Sequence, residues 1–187
     1  MKTNIPEWTA QGIIPPKISD QPNLAYSSPY PISLVDLIGR FANTPERRKL
    51  ISGFLSYRKI LHNFGFINGF QWIDGSFIEN IEMLDKRSPN DIDVVTFLED
   101  DISISDDDLS ELEYHHIKSK YFVDTQYLEL AKITPREITE YSAFWYGVWS
   151  HKRNHIWKGY LKVELAPDED NQAADLLLKL SQERGQS

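Results

Sequence analysis

A chain of 187 residues with 41% hydrophobic and 12% aromatic content is long enough for one domain with a substantial core, and no apolar run approaches the ~20 residues needed to span a bilayer. A formal charge of -8 argues against non-specific binding along duplex DNA, which depends on neutralising many phosphates with Lys and Arg. The absence of cysteine excludes disulfide staples and thiolate metal sites, so any metal site must use oxygen or imidazole donors. The opening Met1-Lys2-Thr3-Asn4 leads to Pro6 and Trp8 without the apolar core of a secretory signal, and a soluble, cytoplasmic protein is expected.

Six of the ten prolines lie in residues 1–32, where fixed φ and missing donors predict an extended arm along the surface of a single domain spanning 33–187. Ser33 is a candidate cap for a short helix through Leu34, Leu37, Ile38 and Phe41, and Thr44-Pro45 opens a second helix that ends near Gly65. Leu50, Ile51, Phe54, Leu55, Arg58 and Leu61 mark its buried face, which leaves Arg47, Arg48 and Lys49 in water. Phe70 to Asp74 reads as a strand, Phe77 to Leu84 as a short helix, Asp85 to Asn90 as a loop and Ile92 to Leu98 as a second strand.

The acidic stretch from Glu99 to Asp108 reads as a solvated loop, with an Asp near Asp108 capping a helix from Leu109 to about Lys118. Tyr121 to Leu128 is a third strand, Thr134-Pro135 opens a helix through Tyr146, Lys158 to Leu165 is a fourth strand, and Gln172 to Leu180 is a closing helix with a polar tail. The expected class is α/β (α+β), a small mixed sheet flanked by helices with a proline-rich N-terminal arm.

The stretch "WIDGSFIENIEMLDKRSPNDIDVV" holds the constellation best suited to chemistry. Side chains two apart on a strand share a face, so Asp91 and Asp93 converge, and their repulsion calls for a cation. Carboxylate oxygens suit Mg²⁺, which fills its remaining positions with water and substrate phosphate. Gly75 and Ser76 form a turn after a strand that brings backbone donors and a hydroxyl to an anion. Asp124, in "YFVDTQYLEL", stands where a third carboxylate could complete a two-metal arrangement. Lys158, opening a strand, is a candidate to neutralise phosphate charge.

Each residue also has a plainer role available. Asp91 could cap a strand, Asp93 could pair with an arginine, Asp124 could cap a turn, Ser76 could cap the next helix, and Asp74 reads as a structural hydrogen-bonding residue. His151 and His155 sit four apart but lack a third ligand, and His115-His116 cannot chelate together; surface positions are expected for these histidines. The aromatics Tyr141, Phe144, Trp145, Tyr146, Trp149 and Trp157, interleaved with Lys152 and Arg153, could stack a base, though the favoured reading is a core-packing helix followed by a basic turn.

"DGSF" and "NDIDVV" resemble the Gly-Ser turn and paired-aspartate strand of the polymerase-beta-like nucleotidyltransferase superfamily. The order of "IPPKISD", "WIDGSF", "PNDIDVV", "YFVDTQYL" and "WKGYLKVEL" is more closely similar to an uncharacterised bacterial family described as nucleotidyltransferase-like. The resemblance implies a nucleotidyltransferase-type sheet, Asp91 and Asp93 as ligands of Mg²⁺ or Mn²⁺, Gly75 and Ser76 as triphosphate contacts, and Asp124 as third carboxylate. It implies a nucleoside triphosphate substrate and a hydroxyl acceptor on a small molecule, an RNA end or a partner protein. The alternatives are a non-catalytic interaction or regulatory module, of the kind found at toxin-antitoxin or phage-defence loci, and metal-dependent phosphodiester hydrolysis by the same carboxylates.

Overall fold

The computed structural model describes residues 5–21, 23–105 and 110–183. Its strands are β1 (Tyr30–Pro31), β2 (Gly69–Asp74), β3 (Ile92–Leu98), β4 (Val123–Glu129) and β5 (Leu161–Glu164). Its helices are α1 (Leu34–Phe41), α2 (Pro45–Asn63), α3 (Ile81–Asp85), α4 (Tyr114–Tyr121), α5 (Pro135–Trp149) and α6 (Asp170–Glu183). The strands form one mixed sheet in the order β1-β5-β2-β3-β4, in which β2 runs antiparallel to β3 and β5 while β3 is parallel to β4 and β1 to β5. The expected α/β class is therefore the observed one.

Local chemistry explains the helix starts. The Ser33 and Thr44 side chains accept from the amides of Asp36 and Arg47, and Thr134 and Glu137 form a reciprocal capping box ahead of α5. One face of the sheet is covered by helices: Tyr57 of α2 hydrogen-bonds Thr96 on β3 and Thr125 on β4, and α2 packs against α4 and α6. Ile73, Val94, Val123, Leu161 and Val163 point into this core with Leu37, Phe54 and Leu61. The opposite face carries an aromatic ladder in which Phe97 stacks on Phe70 and meets Trp72, Trp72 meets Tyr160, and Tyr160 meets Trp149 at the end of α5.

Three expectations change. The proline-rich arm is neither extended throughout nor superficial: it turns at residues 9–12 and folds back through a 3-10 turn at Leu24–Tyr26 so that Lys17 bridges Ser27. Ile5, Ile14, Tyr30 and Ile32 join the core, and β1 adds a fifth strand to the sheet. Arg47 does not stay wet. It is fully buried, because the segment after β2 returns to cover it; its guanidinium donates to the carbonyls of Phe77 and Glu79 and to the Glu82 carboxylate. Residues 77–84 form no single helix, since a 3-10 turn at Ser76–Ile78 is followed by the short α3.

The remaining boundaries shift at the ends. α5 runs three residues beyond Tyr146, the fourth strand starts at Leu161, and α6 starts at Asp170, where its carboxylate pairs with the buried Arg58 at 2.7 Å. A 3-10 turn at Ser110–Leu112 precedes α4, so the expected helix begins at Tyr114 and continues to Tyr121. The expected cap near Asp108 and the polar tail after Glu183 lie outside the described residues.

Candidate functional site

Strand direction brings five charged positions to one edge of the sheet. Asp74 ends β2, Asp91 and Asp93 stand at the start of antiparallel β3, Asp124 at the start of β4, and Lys158 just before β5. Register aligns three of them: Asp74 is the partner of Asp93, and Asp93 the partner of Asp124. Partners in register present side chains to the same face, and Asp91, two before Asp93, joins them. The four carboxylates line one cleft of about 790 Å³, together with Gly75, Ser76, Glu79, Lys118 and the loop from His151 to Lys158.

Gly75 is dictated by this packing. Its φ of 80° is in the left-handed region, and a Cβ there would fall 1.6 Å from Asp93 Oδ2. The Asp93 carboxylate thus rests on the Gly75 backbone. Ser76 follows with a half-buried hydroxyl that makes no side-chain hydrogen bond among the described residues, and the 3-10 turn has no side-chain cap. The capping role for Ser76 is therefore not observed. The turn is braced from outside: Arg47 holds the carbonyls of Phe77 and Glu79, the indole of Trp8 donates to Ile78 O at 2.8 Å, and the amide of Asn80 donates to Gly12 O.

Among the described residues Asp93 pairs with no arginine. Burial, followed by repulsion from Asp91 and Asp124, pushes its carboxyl up to about 6. Asp74 is only 4% exposed, and burial pushes it up to about 7 against the pull of Lys158. Lys158 Nζ forms an ion pair with Asp74 Oδ1 at 2.8 Å and donates to Glu79 Oε1 at 3.1 Å. Burial opposes the Lys158 charge, but Asp74 and Glu79 outweigh it and hold its pKa above the ordinary value. Lys158 is in the cleft as expected, yet its ammonium is committed to two carboxylates. Lys152 adds a second cation to Glu79 at 2.8 Å.

On the other side of Asp93, Lys118 of α4 contacts Asp124 Oδ2 and lies 3.4 Å from Asp91 Oδ2. Tyr114 accepts from Lys118 Nζ at 3.0 Å and donates to Asp124 Oδ2 at 3.2 Å. Asp124 is thus no turn cap. Lys118, Tyr114 and Glu79 escaped the sequence reading, and Lys152 entered it only as part of a basic turn, not as a partner of Glu79. Lys118 left one trace, its place in the last turn of a predicted helix immediately before the strand of Asp124; the pairing of Glu79 with the loop seventy residues later left none.

The donor set suits a hard cation: Asp91, Asp93 and Asp124 offer carboxylate oxygens, and the repulsion on Asp93 is offset only in part by Lys158 and Lys118. Among the described residues, no three carboxylate or imidazole side chains are arranged to close around a metal ion, and the Lys118 ammonium stands between two of the oxygens that such an ion would use.

His151 and His155 lie on an exposed loop, His155 with φ of 64°, rather than on a helix. The aromatic segment also departs from expectation. Within α5 only Trp149 is buried, while Tyr141, Phe144 and Tyr146, and Trp157 beyond the helix, are exposed. The helix does not pack as a core element, and its C-terminal end forms part of the cleft wall through Val148 and Trp149.

Residues 6–164 match a protein family described as a family of unknown function, DUF6932. The chain belongs to this family. The DUF6932 match spans every candidate site residue from Asp74 to Lys158 and ends with the last residue of β5, leaving α6 outside it. No curated protein and no solved structure matches the chain. No helix among the described residues is long and apolar enough to cross a membrane.

Proposed function

We propose that the protein is a Mg²⁺-dependent nucleotidyltransferase, moving a nucleotidyl group from a nucleoside triphosphate to a hydroxyl acceptor. One observation carries the reading: three carboxylates from three adjacent strands stand in register on one face, with Asp91 beside them and the Asp93 carboxylate seated on the Gly75-Ser76 turn. Asp91, Asp93 and Asp124 would hold Mg²⁺ or Mn²⁺, which supplies charge stabilisation for in-line phosphoryl displacement when bound. Gly75 and Ser76 offer backbone and hydroxyl donors to the phosphates, and Asp124 orients the acceptor hydroxyl. The acceptor hydroxyl passes its proton to the Asp124 carboxylate as its oxygen bonds to the α-phosphorus, the bond from that phosphorus to the bridging oxygen of the β-phosphate breaks, and pyrophosphate leaves with that bonding pair. Lys158 tunes the cleft through Asp74 and Glu79 instead of meeting phosphate directly.

The acceptor is a small molecule, an RNA end or a side chain of a partner protein, and the cytoplasm supplies the nucleotide. A second reading, a non-catalytic module of the same architecture, draws support from Lys118, which already neutralises Asp91 and Asp124. Incubation with α-labelled nucleoside triphosphates, Mg²⁺ and pooled acceptors separates the readings. Label in an acceptor with release of pyrophosphate supports transfer. Free nucleoside monophosphate points to hydrolysis, and intact substrate under all conditions points to the non-catalytic module.

A further inference from the structure

We infer that Lys118 is a tethered cation that keeps the carboxylate site closed to metal until an anionic substrate draws it away. The inference rests on the reading of Asp91 and Asp124 as metal ligands. The Lys118 ammonium contacts Asp124 Oδ2 and lies 3.4 Å from Asp91 Oδ2, so it supplies the positive charge that two carboxylates on one face require. An ammonium and a divalent ion cannot use the same oxygens together. Binding of the ion at Asp91 and Asp124 is therefore an exchange of cations.

The placement is built into the fold. Tyr114, one turn earlier on α4, accepts from the ammonium and donates to the same Asp124 oxygen. The ammonium lies 5.5 Å from the Tyr114 ring centroid. Behind it, Ile117 is fully buried, and the left-handed Phe122 after the helix donates its amide to Lys118 O, which fixes the lysine backbone. The side chain is nevertheless 39% exposed at the cleft, and its four-carbon stem can swing without disturbing α4.

A triphosphate offers that ammonium an alternative partner of equal sign to the carboxylates it leaves. Metal and nucleotide then favour one another's binding, each removing the other's obstacle. Asp93, between the clasped pair, stays available to the entering ion.

Titration of Mn²⁺ alone, followed by its paramagnetic resonance signal, into wild type, Lys118→Met, Lys118→Arg and Lys118→Met/Asp93→Asn tests this. Lys118→Met is expected to bind Mn²⁺ about fivefold tighter than wild type, Lys118→Arg to stay as weak as wild type, and Asp93→Asn to abolish the gain. Lys118→Met should also melt lower than wild type without metal and gain more in melting temperature from Mn²⁺. A Lys118→Met protein that binds no tighter than wild type, through a signal that Asp93→Asn removes, overturns the clasp and leaves the metal site standing. A signal indifferent to Asp93→Asn, or none in any variant, overturns the metal reading and the clasp with it.

Discussion

Gly75 and Asp93 constrain each other. A methyl group at Gly75 would overlap the Asp93 carboxylate and impose a positive φ on a residue with a side chain. Gly75→Ala is expected to cost about 2–4 kcal/mol in urea unfolding and to remove Mg²⁺-dependent nucleotide binding; a variant with unchanged midpoint and binding would show that the turn yields. Asp93 itself opposes the metal-free fold. Its folded-state value of about 6 lies above the ordinary 3.8, so its contribution to stability is fully present below about pH 4 and is lost as pH rises through 6, on the order of 2–3 kcal/mol. Asp74, held up to about 7, acts in the same direction over a window reaching about one unit higher. Asp93→Asn should therefore melt at or above wild type near pH 8 in the absence of metal, with the difference closing near pH 4. A clear loss of melting temperature near pH 8 would assign Asp93 a structural hydrogen-bonding role.

At the scale of elements, the turn after β2 is held by α2 through Arg47. Replacing this buried guanidinium by Met leaves two backbone carbonyls and Glu82 without their donor. Arg47→Met is expected to destabilise by about 3–5 kcal/mol and to speed amide exchange across residues 76–82; slow exchange there in the variant would mean that the arm suffices as a brace. The sequence did not disclose this arginine because helical periodicity assigns a face from neighbours three and four away, whereas its partners lie thirty or more residues downstream. Local signals fared better. β3 spans the expected Ile92 to Leu98, and both Thr-Pro starts open helices. Residues 77–84 were misread because a 3-10 turn and a one-turn helix share the polar and apolar spacing of a single short helix. The candidate site shows the same division: the convergence of Asp91 and Asp93 follows from the two-residue period of a strand, Lys118 left only its place at the helix end before the strand of Asp124, and Glu79 enters through tertiary pairing that no spacing encodes.

Across the whole molecule, the carboxylate edge is assembled from strands that are distant in sequence, and the helix-covered face keeps them in register. α6 lies beyond the family match yet contributes Ala173 and Leu177 to the core and Asp170 to the buried Arg58. A chain ended after Ala166 leaves that guanidinium without its carboxylate and is expected to lose its cooperative thermal transition; a retained transition would make α6 an accessory. The arm reaches the site from the other end of the chain, since Trp8 and Gly12 hold the turn at Ile78 and Asn80. The central claim, that these carboxylates and the Gly75-Ser76 turn bind a metal-bound nucleotide, is tested most directly by calorimetric titration of ATP, GTP, CTP and UTP with Mg²⁺ into wild type and Asp91→Asn/Asp93→Asn. The account predicts Mg²⁺-dependent binding of at least one nucleotide to the folded wild type and its loss in the double variant. Binding that survives in the double variant, or no binding of any nucleotide by the folded wild type, would contradict it.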